Sequence, residues 1–279
     1  MKSYKKLPTI PNVAAGNGVT ITLPVGNNYE NVVLYHKGVT PAQLKNMRLE
    51  LNGRMVSEWK DGVRLASMDA HYDRKQTAGA LTFNFLRPEL HALGERRFFG
   101  LDTHASQGIQ TAVIRFDIDA GAAAPELEAY AEVTQSVGGV PNYLTKVRRF
   151  FVPVSSAGTF EIDNIPKPLG ASIAAFHLYM PDDGDADALS SVTKAELLVD
   201  NVNWHDVDAD KAADRQAANG RVPQVNDSSV IDLIQDGDIR HALLLDDKIR
   251  DLRLRCEAVA TGQVELIVEY IDLYGAGRF

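Results

Sequence analysis

Along most of this 279-residue chain, apolar and polar residues alternate with a period of two. That pattern gives β-strands with one buried face and leaves little room for long helices. In "VTITL", Val19, Ile21 and Leu23 point one way while Thr20 and Thr22 point the other. In "TAVIRFDID", Ile114, Phe116 and Ile118 oppose Arg115, Asp117 and Asp119. In "VELIVEYI", Val264, Leu266, Val268 and Tyr270 oppose Glu265 and Glu269, so a half-buried strand is predicted there as well. Further strands are predicted at 31–35, 47–51, 54–59, 80–86, 96–101, 127–133, 148–154, 158–162, 171–179, 194–204, 229–235, 239–245 and 250–258.

Turn chemistry agrees with this reading. Asn52-Gly53 and Asp236-Gly237 each sit between two strand candidates, and such dipeptides supply the positive-φ residues of a tight hairpin. Helices are few. Thr40, Pro41 and Gln43 make a capping box for about one turn. Leu65, Met68 and Tyr72 share a face in a short helix predicted over 63–73. A second helix is predicted over 208–219, with Asp208 as N-cap, Gly220 just past its end, and a face of alanines too thin to be a core on its own.

About fifteen short strands overfill one eight-stranded jelly roll, and two such units fit. The stretch "TQSVGGVPNYLTK" (134–146) carries Gly138-Gly139 and Pro141 and splits the chain into near-equal halves, each with one helix between strands. The predicted fold is therefore all-β: two tandem eight-stranded jelly-roll sandwiches, a double jelly roll, with a few short helices. The predicted domains are 1–137, with an N-terminal arm, and 138–279. No residue-level repeat accompanies this architectural duplication.

Composition bounds the function. Apolar content of 45% and charged content of 24% indicate a folded globular protein. A formal charge of −8 argues against direct nucleic-acid binding, which needs a basic footprint. The single cysteine, Cys256, excludes an intramolecular disulfide and reads as a small buried hydrophobe. The start "MKSYKKLPTIPN" has no apolar core of a signal peptide, and "ASIAAFHLYM" is too short to span a bilayer as a helix. A soluble protein of a reducing compartment is expected.

No catalytic constellation emerges. The seven histidines are dispersed without metal-ligand spacing, and no nucleophile stands in a recognisable turn. The chain is read as a non-enzyme with no catalytic or cofactor-binding residues. In "MPDDGDADALS", alternating carboxylates make Asp183, Asp185 and Asp187 candidate calcium ligands. An EF-hand is excluded, because Ala188 and Lys194 occupy its glycine and glutamate positions. The plainer reading is a solvated acidic loop. Asp117 and Asp119, on one face at a strand end, either share a cation or bond turn amides. Lys2, Lys5 and Lys6 form a basic arm that either touches anionic headgroups or frays into solvent.

The segments "IPNVAAGN", "LPVGNNYE" and "GVTPAQLKNMRLELNGR" resemble the opening of the corticovirus major capsid proteins. The resemblance continues through "LTFNFLRPE", "SVGGVPNYLTKVRRFF" and "KPLGASIAAFH", and closes with "LLLDDKIRDLRLRCE" and "VELIVEYI". It spans most of the chain in order and departs most over 180–228. It implies two jelly rolls standing upright in a viral shell. It also implies a pseudo-hexagonal homotrimer tiling an icosahedral capsid over an internal lipid membrane. The implied partners are neighbouring trimers, vertex (penton) and membrane proteins of the virion, and the inner membrane headgroups, which the N-terminal lysines would face. Calcium is the implied ion, the virion the implied location, and the cytoplasm of a bacterial host the implied site of synthesis.

Two other classes compete. A carbohydrate- or receptor-binding sandwich would need aromatics clustered on one sheet face, and of the two tryptophans neither Trp59 nor Trp204 has an aromatic cluster beside it in sequence. A β-sandwich hydrolase would need a carboxylate pair that the sequence does not single out.

Overall fold

The computed structural model describes residues 2–136, 138, 142–180 and 190–274. The first half contains β1 (Ser3–Lys6), β2 (Gly18–Thr22), β3 (Asn27–Lys37), β4 (Leu44–Leu51), β5 (Arg54–Asp61) and α1 (Gly62–His71). These are followed by β6 (Ala80–Asn84), α2 (Leu93–Phe98), β7 (Leu101–Asp102), β8 (Ala112–Ile118) and β9 (Glu126–Gln135). One sheet has the order β1-β9-β3-β6, with β7 added to β3; the other has the order β2-β8-β4-β5.

The second half repeats the plan. It contains β10 (Tyr143–Val154), β11 (Gly158–Ile162), β12 (Ser172–Tyr179), β13 (Val192–Val199), β14 (Val202–Asp208) and α3 (Ala209–Ala218), then β15 (Ser228–Asp232), β16 (Leu243–Leu244), β17 (Leu252–Ala258) and β18 (Gly262–Leu273). Its sheets have the orders β10-β18-β12-β15, with β16 added to β12, and β11-β17-β13-β14. Each half is an eight-stranded jelly roll with the same strand order. Each also has a helix between the same two strands and a two-residue strand on the same neighbour. No strand pairing crosses between the halves among the described residues.

Each sandwich has its own core. Ile21, Leu34, Leu44, Leu51 and Ile114 fill the first; Ile173, Phe176, Leu197, Leu254 and Val268 fill the second. The Asn52-Gly53 hairpin forms as predicted, with φ of 51° and 73°. Asn52 also anchors the neighbouring loop: its Oδ1 accepts from Gln110 N at 2.7 Å and Thr111 N at 3.0 Å. Its Nδ2 donates to Gly108 O and to the Tyr274 hydroxyl. Thr40 N donates to Gln43 Oε1 at 2.9 Å over a single 3-10 turn.

Several expectations are corrected. Residues 96–101 do not form the predicted strand: α2 takes 96–98, β7 begins only at Leu101, and Phe98 stacks on Tyr143 at 4.8 Å. Residues 194–204 are not one strand, because Asp200 and Asn201 both take positive φ and turn β13 into β14. Asp236-Gly237 does not make a hairpin. Gly237 has φ 75° and closes a turn onto Ile234 O, while β15 and β16 each pair with β12. Most of 239–245 is accordingly a 3-10 turn and a two-residue strand. Asp208 stands at the N-cap of α3, but its side chain makes no capping bond. β18 is not half-buried: Glu265 and Glu269 are as enclosed as Val264 and Val268, because the first jelly roll covers that face.

The halves stand side by side with matching ends together. Asn142 Nδ2 donates to Asp102 O at 2.8 Å, and Asn52 Nδ2 to Tyr274 Oη at 2.7 Å. Ser3 pairs with Val133 and Leu273 with Tyr143, so the start of β1 and the end of β18 lie at the same end as the segment linking the halves. β5 and α1 pack on the outer face of β10-β18-β12-β15. There Ser57 Oγ donates to Thr145 O at 3.1 Å and accepts from Val147 N at 3.2 Å.

Candidate functional site

The junction between the jelly rolls is an ionic network buried between two apolar cores. Arg74, Arg87 and Arg221 surround the Tyr72 ring, at 4.6, 5.4 and 5.4 Å from its centre. Their charges are met by Asp69, Glu89, Asp232 and Glu269. Glu269 accepts from Arg87, from the Tyr72 hydroxyl at 2.8 Å and from His177 Nε2 at 2.8 Å. Burial alone would raise its pKa, but Arg87, His177 and Arg74 together hold the carboxyl well below its ordinary range. At the edge, Arg64 and Arg149 converge on Glu265 at 3.0 and 2.7 Å, and the Arg64 guanidinium lies 3.5 Å from the centre of the Tyr179 ring.

Two histidines lie in this junction, 5.5 Å apart and edge to face. His71 approaches Asp232 at 3.4 Å, and burial lowers its pKa. Nδ1 of each ring has no partner among the described residues. Asp69, fully enclosed, is pushed up to about 6 by burial despite Arg74 and Asn84 beside it. The arrangement locks two domains together and offers no nucleophile with a base. Cys256 is likewise inert: burial raises its thiol to about 12.

Asp183, Asp185 and Asp187 lie outside the described residues. Asp119 pairs with Lys45 and accepts from Gly121 N at 2.8 Å; those two bonds, Lys45 first, hold it below the usual range. Asp117 accepts from Asn46 Nδ2 at 2.9 Å. These two carboxylates thus bond local lysine, amide and turn groups. No cluster of three or more metal-ligating side chains occurs among the described residues.

The basic arm is not frayed, because β1 pairs along its length with β9. Lys2 bridges Glu30 and Glu132 at 2.9 and 2.7 Å, and Lys6 pairs with Glu128 at 2.7 Å. Lys5 is exposed. The structure does assemble an aromatic cluster that sequence reading missed. On the outer face of β1-β9-β3-β6, Tyr4 stacks on Tyr130 at 5.3 Å, and Tyr35 meets Tyr130 edge-on at 5.7 Å. These three residues are far apart in sequence, so only the pairing register reveals them. Trp59 is buried against Phe83, while Trp204 is 65% exposed on β14. No helix among the described residues is long and apolar enough to cross a membrane.

Comparison with known proteins matches both halves of this architecture. Residues 4–134 match the family described as viral coat protein P2 N-terminal domain, and residues 144–274 its C-terminal domain. The chain is 37% identical, over the full length of both, to the major capsid protein P2 of Pseudoalteromonas phage PM2. The crystal structure of that P2 protein covers all of both chains with a TM-score of 0.91 at 36% identity. The major capsid protein of Sulfolobus turreted icosahedral virus superposes with a TM-score of 0.72 at 13% identity, covering 98% of this chain and 97% of that one. The capsid protein VP54 of the virus PBCV-1 gives 0.66 at 11%, covering 99% and 97%. The last two likenesses show the double jelly-roll fold alone.

Proposed function

The chain belongs to the viral coat protein P2 family, and from that premise we propose that it is the major capsid subunit of a tailless icosahedral phage or related prophage. Its role is structural. Three copies form a homotrimer whose six jelly rolls make a pseudo-hexagonal tile, and many tiles cover an internal lipid membrane. Neighbouring trimers, vertex proteins and membrane proteins of the virion are its partners.

The observation that carries the proposal is the duplication itself. Two sandwiches with the same strand order, held rigidly side by side, let threefold symmetry approximate sixfold packing. Contact with inner-membrane headgroups falls chiefly to Lys5, since Lys2 and Lys6 are already paired with glutamates. Calcium ligation belongs to the same proposal. It is supported by the alternating carboxylates of Asp183, Asp185 and Asp187.

Light scattering on the purified protein, with calcium and then with chelator, tests this. One chain is 30.5 kDa. A species of three chains is expected; a strict monomer at every concentration and in both conditions would refute the trimer. If calcium promotes trimers, replacing Asp183, Asp185 and Asp187 with Ala should abolish that response. An unchanged response removes these residues from calcium binding.

A further inference from the structure

The two jelly rolls share a plan but differ in what is covered, and the difference has the form of one interface cut in half. In the second jelly roll the outer face of β10-β18-β12-β15 is enclosed: nine consecutive residues of β18 are buried. Its counterpart in the first, the outer face of β1-β9-β3-β6, is open, and β9 alternates buried with exposed or half-buried residues. The helix side shows the reverse. Six of the ten residues of α1 are buried, but only Ala212 and Gln216 of α3. β5 buries Val56, Ser57 and Trp59, while β14 buries nothing.

The correspondence can be followed along helix and strands. β5 runs into α1 at Asp61, and β14 into α3 at Asp208. Counted from these aspartates, Arg64 of the helix corresponds to Lys211; along the strands, Leu49 pairs with Ser57 and Leu197 with His205, so Ser57 corresponds to His205 and Val56, at the bulge, to Trp204. On the sheets, Glu128 and Glu132 of β9 stand where Glu265 and Glu269 stand on β18. The neighbours in the ladders then match. Tyr35 lies opposite Glu128 and Tyr179 opposite Glu265; Tyr4 lies opposite Glu132 and Val147 opposite Glu269. Even the ion pairs across β1–β9 and β10–β18 agree: Lys6–Glu128 and Arg149–Glu265 are both 2.7 Å.

Within the chain, Arg64 lies over the Tyr179 ring and bonds Glu265, and Ser57 bonds the backbone beside Val147. We infer that the open face of β1-β9-β3-β6 receives β14 and α3 of a neighbouring copy by this same geometry. Lys211 of the neighbour lies over Tyr35 and pairs with Glu128; His205 of the neighbour takes the place of Ser57 beside Tyr4, with Trp204, next to it at the bulge, packing on the same ring. The occupant is a second copy because the chain already contains this interface once, and the unmatched halves are the two exposed surfaces. Their aromatic side chains fit that role: Tyr4 is 52% exposed and Trp204 65%, and interface cores are enriched in Tyr and Trp. The contact is head-to-tail and closes after three copies. It rests on the trimer reading above and specifies which faces make it.

A double variant, Tyr4→Cys with Trp204→Cys, tests the contact by oxidation and a denaturing gel. The native Cys256 is buried and contributes no background. Covalent species up to three chains are expected, and neither single variant should give them. Absent cross-links in a preparation whose light-scattering mass is three chains would overturn the interface and leave the trimer standing. A strict monomer would overturn both. Independently, Lys211→Glu and Glu128→Lys should each weaken trimers about fivefold per contact, or about 100-fold over three contacts. Combining the two should restore assembly to within about threefold. Failure of the combination to restore it would overturn the pair.

Discussion

Replacing Glu269 with Gln isolates the contribution of the buried junction. The substitution keeps shape and removes one charge. Glu269 is 2% exposed and takes hydrogen bonds from Arg87, Tyr72 and His177, so it links the first jelly roll to the second. Arg87 is itself 1% exposed; its Nη2 bonds Glu269, and its Nη1 has no hydrogen-bond partner among the described residues. The variant leaves that guanidinium buried without its closest counter-charge. Removing one member of a buried pair costs about 3–5 kcal/mol. A chain of this size loses roughly 2–4 °C in Tm per kcal/mol, so a drop of about 10 °C is expected by scanning calorimetry. Because the bonds cross between jelly rolls, the single unfolding transition should also split or broaden. The double variant Arg87→Met, Glu269→Gln removes both charges, keeps an acceptor for Tyr72 and His177, and should recover most of the loss. A single transition shifted by less than 2 °C in Glu269→Gln would refute the view that this network couples the halves.

Three further outcomes follow from named positions. His71 has a lowered folded pKa, so its contribution is intact above its unfolded value near 6.5 and is lost as pH falls toward the folded value. Asp69 is raised to about 6, so its contribution is present below 3.8 and lost as pH rises through about 6. The two oppose each other between pH 7 and 5, and Asp69→Asn should make Tm fall more steeply over that window than in the parent; equal slopes would refute it. Gly138→Val should destabilise the link between halves by about 2 kcal/mol or more, since Gly138 has φ 62° and a Cβ would lie 2.7 Å from His104 Nδ1; an unchanged Tm would refute this. Asn52→Ala should cost about 2–3 kcal/mol in denaturant melts, because two amides and a carbonyl lose their partner; a loss below 0.5 kcal/mol would show that water replaces the side chain.

The sandwich was legible because alternation is a local signal. Val19, Ile21 and Leu23, or Ile114, Phe116 and Ile118, declare an inner face within a few residues. The Asp200-Asn201 turn was missed because Asn and Asp adopt positive φ without a neighbouring glycine to signal it. The strand predicted at 96–101 is replaced by the end of α2, where Phe98 packs on Tyr143 and Phe99 clusters with Ile271, contacts made to the distant second jelly roll that no local pattern announces. The junction was illegible for a different reason. Glu265 and Glu269 alternate with apolar residues as any solvated strand face does, and only the cover of the first jelly roll, supplied by residues some two hundred positions away, turns them into buried anions. The tyrosine cluster was hidden likewise, since Tyr4, Tyr35 and Tyr130 meet only through strand pairing.

The two halves of the duplicated contact differ in chemistry in a way that follows from when each forms. The contact inside the chain forms once, during folding, and uses arginine, histidine and carboxylates enclosed away from water. The proposed contact between copies must stay exposed until partners meet, and it carries Lys, Glu and Tyr, which tolerate water. Lys6 and Glu128 have side chains 55% and 56% exposed, and Lys211 66%. Such pairs contribute little each and are screened by salt, with a Debye length of about 10 Å at 0.1 M and about 3 Å at 1 M. Raising sodium chloride from about 0.1 to 1 M should therefore shift trimers toward monomers in light scattering, by about tenfold in concentration over three contacts. The same salt should leave the unfolding transition of the single chain within about 2 °C, because its junction is closed to ions. Trimers indifferent to salt would mean that the Tyr and Trp contacts dominate, and Lys211→Glu would then have no more effect than Lys211→Ala.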